Sequence, residues 1–462
     1  MSFLRYVVVG SLGSVLLFAS GTAMGAEEEP GNEFVQMVIG FLSDNDREMR
    51  ALGLEQVRTA APGAALTKRF ADQLEKLPAT AQIDLIRALA DRNDAAALPS
   101  IERLLEGKPP VAVEAAALIA AGRLGDGSTV TRLVAALGRS EPEIKAAASE
   151  ALLKVTNGNA AAAIGDTLAS QPTDLQVQLI EILAKRRAVD TIPQIIARAT
   201  GTDATVRASA MQALGEMAGP EHLPQMLQAV LIADTGKERD AAEKCVMFVC
   251  NRIEDAEQRA APLLQAMQSM SDTDRAVLLN TLGRVGGSEA LAVVDRELRS
   301  DDRVRHDNGM RAISNWPSAS IAPRLLELIE KDEHPEHRIA ALRSLIRVAP
   351  LRDGRSNSDR LELLQSALSM STRDEERTLA VSRASAIRSV ETLRFLVPLL
   401  DDPLLAESAC GSIVELAHQR QLRDDNKAEF HAALDKVIAT TKDPVVIDRA
   451  QRYKKGQTWS RK

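Results

Sequence analysis

The chain has 462 residues, more than one globular core accommodates, so several domains or a repeat array are expected. Aromatic residues make up only 3% against 45% hydrophobic overall, so the core must be built from Ala, Leu, Ile and Val, which favours helices over strands. A formal net charge of −7 argues against a nucleic-acid partner, which usually selects a basic balance.

The first element is an N-terminal apolar run. Arg5 precedes the stretch from Tyr6 to Phe18, Ala23-Met24-Gly25 places small residues where a signal peptidase reads them, and Glu27 to Glu29 with Pro30 open a polar chain. This layout predicts a secretory signal over residues 1–25, cleaved after Gly25, with a linker over 26–32. A retained membrane anchor is the alternative, but the run is short and interrupted by glycine. The expected destination is the periplasm or the extracellular space. No later segment reaches 18 apolar residues, so no membrane span is expected in the mature chain. Three cysteines, Cys245, Cys250 and Cys410, cannot form a complete disulfide framework. Cys245 and Cys250 stand five apart, roughly 140° around a helix, so buried free thiols are expected.

From residue 33 onward one phrase returns. Its clearest copy runs from Val113 through Ala117 and Leu118 to Gly122-Arg123-Leu124-Gly125-Asp126, and later copies start at Ile144 and Val206. A first helix carries apolar or small residues at its start and four, eight and eleven positions later, as Val206, Ala210, Leu214 and Met217 do; this spacing makes one helical stripe. A break containing Gly, Asp, Asn or Pro follows, such as Gly125 to Gly127 or Gly219-Pro220. A second amphipathic helix, for example from Ala322 to Ile329, completes the unit. About twelve such units fit between residues 33 and 450, with loops expanded near Asp234 to Glu238 and Leu351 to Asn357. The basic tail over 451–462, including Tyr453, lacks the pattern and is expected to fray. No unit can bury its stripe alone, so stacking is required.

The phrase from Val113 to Asp126, with Ala213-Leu214-Gly215 and Thr281-Leu282-Gly283, resembles the HEAT-repeat family, in particular the short bacterial units of the phycobilisome-lyase type. The segment Arg311 to Pro317, with Ala340 to Arg347, also resembles a block in secreted bacterial HEAT proteins. The resemblance implies an all-α fold, a right-handed α-α superhelix of the HEAT/armadillo kind. It implies a binding scaffold rather than a chemistry.

One aligned position carries charge. Ten residues after the start of each first helix stand Arg123, Lys154, Lys185, Arg252, Arg284, Arg347 and Arg388, interrupted by Glu216 and Asn315. Stacked at about 10 Å per repeat, they would form a cationic line for an acidic peptide or polysaccharide. The same residues would also complement a helix C-terminus, by roughly 0.3–1 kcal/mol each. His334 and His337 have a metal-ligand spacing, but Pro335 between them points to a solvated inter-repeat loop, so no metal site is expected. His306-Asp307 has no nucleophile attached, and His222, His418 and His431 are scattered. Trp316 is expected in the core. No phosphate loop, nucleophile elbow or paired-cysteine motif is present. The expectation is therefore an exported, non-enzymatic scaffold or adaptor that binds protein partners along the inner groove of the solenoid, without a cofactor. The alternatives are an accessory subunit of an exported carbohydrate-processing enzyme or, more remotely, a HEAT-type enzyme or nucleic-acid binder.

Overall fold

A computed structural model describes residues 32–459 apart from Asn45, Ala61, Pro62 and Thr156. The signal read over residues 1–25 and the linker as far as residue 31 lie outside the described residues. Among the described residues every regular element is a helix. The chain divides into two compact units, Met1–Thr167 and Leu168–Lys462.

In the first unit a leading helix, Asn32–Leu42, precedes four pairs. These are Arg47–Thr59 with Ala64–Ala71, Ala79–Arg92 with Leu98–Glu106, Val111–Leu124 with Val130–Leu137, and Pro142–Lys154 with Ala160–Thr167. Each first helix packs on the helix that precedes it in the chain, and the first three also pack on the first helix of the next pair. The reason is visible in the stripe: Val113, Ala117, Leu118, Ala121 and Leu124 are buried, and so are Ile144, Ala148, Leu152 and Val155. Polar residues at the breaks cap what the helices leave unsatisfied. Asp46 accepts from the Glu48 backbone N–H, and Asp94 and Asp126 do the same for the short 3-10 turns that precede second helices.

The second unit continues the same grammar through eight pairs. The first helices are Thr173–Lys185, Ala204–Met217, Lys237–Cys250, Asp272–Val285, Arg303–Ser314, Pro335–Val348, Asp374–Arg383 and Ala406–His418. Their partners are Ile192–Ala199, Leu223–Ile232, Ala261–Gln268, Ser288–Leu298, Ala322–Lys331, Asn357–Met370, Val390–Leu399 and Lys427–Thr440. Several second helices carry proline as their second residue, where its missing N–H is not needed in the first turn. This is the helix-pair repeat that the HEAT resemblance implies. Val206, Ala210 and Leu214 are buried as the stripe requires, and Trp316 is buried in the core. All three cysteines are free; Cys250 and Cys410 are buried and Cys245 half-buried.

The recurrent glycine of the phrase, after Ala121 in one copy and Leu282 in another, marks a close approach of consecutive first helices. A Cβ on Gly122 would lie 2.5 Å from the Ala151 Cα, and one on Gly283 would lie 2.1 Å from the Ala312 carbonyl oxygen. Only a residue without a side chain fits there.

Two expectations need correction. The extra residues expected near Asp234 instead follow Cys250, where residues 251–260 link the two helices of that pair; the break at Ala233–Gly236 is short. The expansion near Leu351 stands, and buried Arg360 ties it down by donating to the Pro350 and Ala386 carbonyls. The second correction is the tail. A further helix, Pro444–Lys454, packs on Lys427–Thr440 and Ala406–His418, so the chain at 451–454 does not fray. Tyr453 is 1% exposed, its hydroxyl lies 2.9 Å from His418 Nδ1, and the Arg423 and Arg449 guanidiniums lie over its ring.

Candidate functional site

Most of the aligned cations reach back toward the preceding repeat. In the first unit Arg123 pairs with Asp91 at 2.8 Å, and Asp91 also takes Arg58 at 3.3 Å, so one carboxylate joins three successive first helices. The Arg123 hydrogen bond is the main reason that the Asp91 carboxyl lies below its ordinary 3.8, with Arg58 adding to it against the effect of burial. Lys154 pairs within its own helix with Glu150.

In the second unit Arg252 donates to the Gly215 and Ala218 carbonyls, and Arg347 donates to the Ser314 and Trp316 carbonyls at 3.1 and 2.7 Å. Each therefore satisfies carbonyls at the C-terminal end of the previous first helix. Arg284 instead meets Glu243 at 2.8 Å and Asp240 at 3.1 Å. Burial raises the Glu243 carboxyl against the pull of Arg284. Asn280 donates to Glu243, and the interrupting residue Asn315 donates to Asn280, so a polar ladder crosses three repeats.

Two positions depart from the alignment. Arg252 lies in the turn beyond Lys237–Cys250 rather than in its last helical turn, and Arg388 lies in the break before Val390–Leu399. The neighbour of Arg347 is Arg383, in the last turn of Asp374–Arg383. Burial lowers the Arg347 guanidinium below its ordinary value, and the positive charges of Arg383 and Arg284 add to that. Lys185 and Arg388 are exposed, and Arg388 borders an open cleft of about 320 Å³ with Arg420.

A second constellation was not anticipated. Pro335 does not hold His334 and His337 in a solvated loop; it is the first residue of Pro335–Val348, with His334 as the N-cap. The helix start therefore turns the His337 ring inward, where its side chain is only 9% exposed. Asp332, just past the end of Ala322–Lys331, is 1% exposed at its side chain. His306, from the first turn of Arg303–Ser314, completes the group.

The His306 Nε2 lies 2.9 Å from Asp332 Oδ2, while His334 Nδ1 and His337 Nδ1 lie 3.2 and 3.5 Å from Oδ1. Ring centroids are 4.9 to 5.6 Å apart. Burial works to raise the Asp332 carboxyl but is outweighed by the His334 backbone N–H and the His306 and His337 rings, which hold it below 3.8. One ligand atom from each of the four residues lies within 4.8 Å of the others. An open cleft of about 540 Å³ borders the group, lined by His306, Asp332 and His334 together with Arg299, Arg303, Arg324 and Lys331.

No protein-family model matches the sequence, and no curated protein matches it either. Solved structures do resemble it in fold. One is a karyopherin bound to the extreme C-terminus of a protein phosphatase, at 12% identity and TM-score 0.46, covering 95% of this chain and 57% of the karyopherin. Another is yeast importin-beta, at 12% identity and TM-score 0.39, covering 91% of this chain and 66% of that one. A third is the phycocyanin lyase complex of a Nostoc species, at 16% identity and TM-score 0.26, covering 54% of this chain and 100% of that one. The chain thus spans a little over half the length of the karyopherin. Among the described residues no helix is long and apolar enough to cross a membrane.

Proposed function

We propose that the protein is an exported, non-catalytic scaffold that binds a protein partner along the exposed faces of consecutive first helices. The observation that carries this reading is a repeated exposed stripe. On Ala204–Met217 it is Thr205, Ala208, Gln212 and Glu216; on the next first helix it is Lys237, Ala241, Lys244 and Phe248. Consecutive first helices are neighbours, so these stripes lie side by side while the opposite stripes form the core. Phe248 is 53% exposed, the type of side chain that anchors a partner. Lys185 on a neighbouring first helix, and Arg388 further along, supply positive charge suited to an acidic segment of the partner.

Export rests on the residues around Arg5, Tyr6 to Phe18 and Gly25. Fusing residues 1–32 to a reporter active only outside the cytosol tests it directly, and a silent reporter rejects export. Cross-linked capture from the native envelope fraction tests binding, with Phe248→Asp beside the wild type. Loss of a defined partner on substitution supports the reading, and identical partner sets contradict it.

A further inference from the structure

We propose that His306, Asp332, His334 and His337 form a binding site for a divalent transition-metal ion of the zinc class. The residues come from two successive repeats, so the fold and not a local spacing brings them together. Zinc holds nitrogen and oxygen ligands at roughly 2.0–2.2 Å in a tetrahedron, which sets ligand atoms about 3.3–3.6 Å apart. The three imidazole nitrogens stand 2.9, 3.2 and 3.5 Å from one or other Asp332 oxygen, and the four ligand atoms lie within 4.8 Å of one another, so an ion would draw the rings inward to close the set.

A second, independent observation is His337 itself. Its Nδ1 is buried without a hydrogen-bond partner and faces Asp332. Its other nitrogen, Nε2, lies 2.9 Å from Asp307 Oδ1, and Arg303 grips that same oxygen at 2.7 Å. With the proton on Nε2 donated to Asp307, the Nδ1 lone pair points into the group. This carboxylate-behind-histidine arrangement is how proteins orient imidazole ligands.

Three imidazoles around one carboxylate suit zinc, copper or nickel rather than magnesium or calcium, which prefer oxygen cages. The adjoining cleft reaches His334, whose side chain is 34% exposed, and gives an ion a path from solvent. A bound ion would clamp Arg303–Ser314 to the junction between Ala322–Lys331 and Pro335–Val348.

The test is calorimetric titration of the full, tag-free chain with Zn2+ after chelator treatment. The expected result is one saturable site that disappears in the double variant His306→Ala/His334→Ala while helicity is unchanged. Asp307→Asn should weaken binding by about 10–100-fold, the usual effect of removing an outer-shell partner. Cobalt substitution of the wild type adds a readout independent of any variant: the visible bands of a four-coordinate N/O site. Absence of a saturable event, absence of the cobalt bands, or equal stoichiometry in a folded double variant would overturn the proposal.

Discussion

Alanine is a better helix former than glycine by about 1 kcal/mol, yet glycine occupies the helix positions where first helices touch. The Gly283 contact with the Ala312 backbone decides the sign of a substitution. Gly283→Ala should lower stability by about 1–3 kcal/mol, as overpacking does. Gly411→Ala, in Ala406–His418 where a new Cβ meets nothing within 4 Å, should raise it by about 0.5–1 kcal/mol. Urea unfolding of both variants checks the pair, and a stabilised Gly283→Ala would show that the helices are further apart. Asp91 gives a pH signature. Its carboxyl is held below 3.8, so its contribution is complete above that value and disappears as pH falls through the lower folded value. Melting curves of wild type and Asp91→Asn should therefore differ at neutral pH and converge in acid; a constant gap contradicts the bridge. Burial pushes the Cys250 thiol up to about 12 and those of Cys245 and Cys410 to about 11, so native thiols should resist alkylation at pH 8. The spacing of Cys245 and Cys250 was enough to anticipate free thiols. The histidine group was also within reach: His306 and His337 stand one repeat step of 31 residues apart, and their rings stack at 4.9 Å. Asp332 was harder to foresee, because its burial depends on where one helix ends and the next begins.

Between elements, buried ion pairs join neighbouring repeats. Arg207, 8% exposed at its side chain, is met by Glu238 of the next first helix at 2.8 Å. Glu238→Ala leaves that guanidinium short of its main partner and should lower stability by about 3–5 kcal/mol. Replacing both, with Arg207→Met and Glu238→Leu, should cost far less, and equal losses would show that the pair is not the cause. At the C-terminal end, Tyr453→Ala should destabilise the last helix pair by about 3–5 kcal/mol, as deletion of a large buried ring does. Hydrogen exchange along Ala406–His418 would report it. The anchoring of this helix is hard to see in the sequence because Tyr453 stands among the basic residues Arg452, Lys454 and Lys455. The pairing itself was legible, since stripes and breaks recur in nearly every unit. Connection lengths were not, because residues 251–260 hold a 3-10 turn that resembles a helix start.

At the level of the whole molecule, the aligned cations divide by partner. Arg123, Arg252, Arg284 and Arg347 bond to the preceding repeat, Lys154 pairs within its own helix, and Lys185 and Arg388 face water. The alignment could place charges at one register but could not tell a bond between repeats from a free charge, since both use the same residue types. The division separates stability from binding. The most direct test sets Arg252→Gln beside Phe248→Asp, measuring for each the unfolding midpoint and the partners retained from the envelope fraction. Arg252→Gln should lower the midpoint and keep the partners, while Phe248→Asp should keep the midpoint and lose them. Partner loss with Arg252→Gln at unchanged stability, together with full retention by Phe248→Asp, would contradict this division.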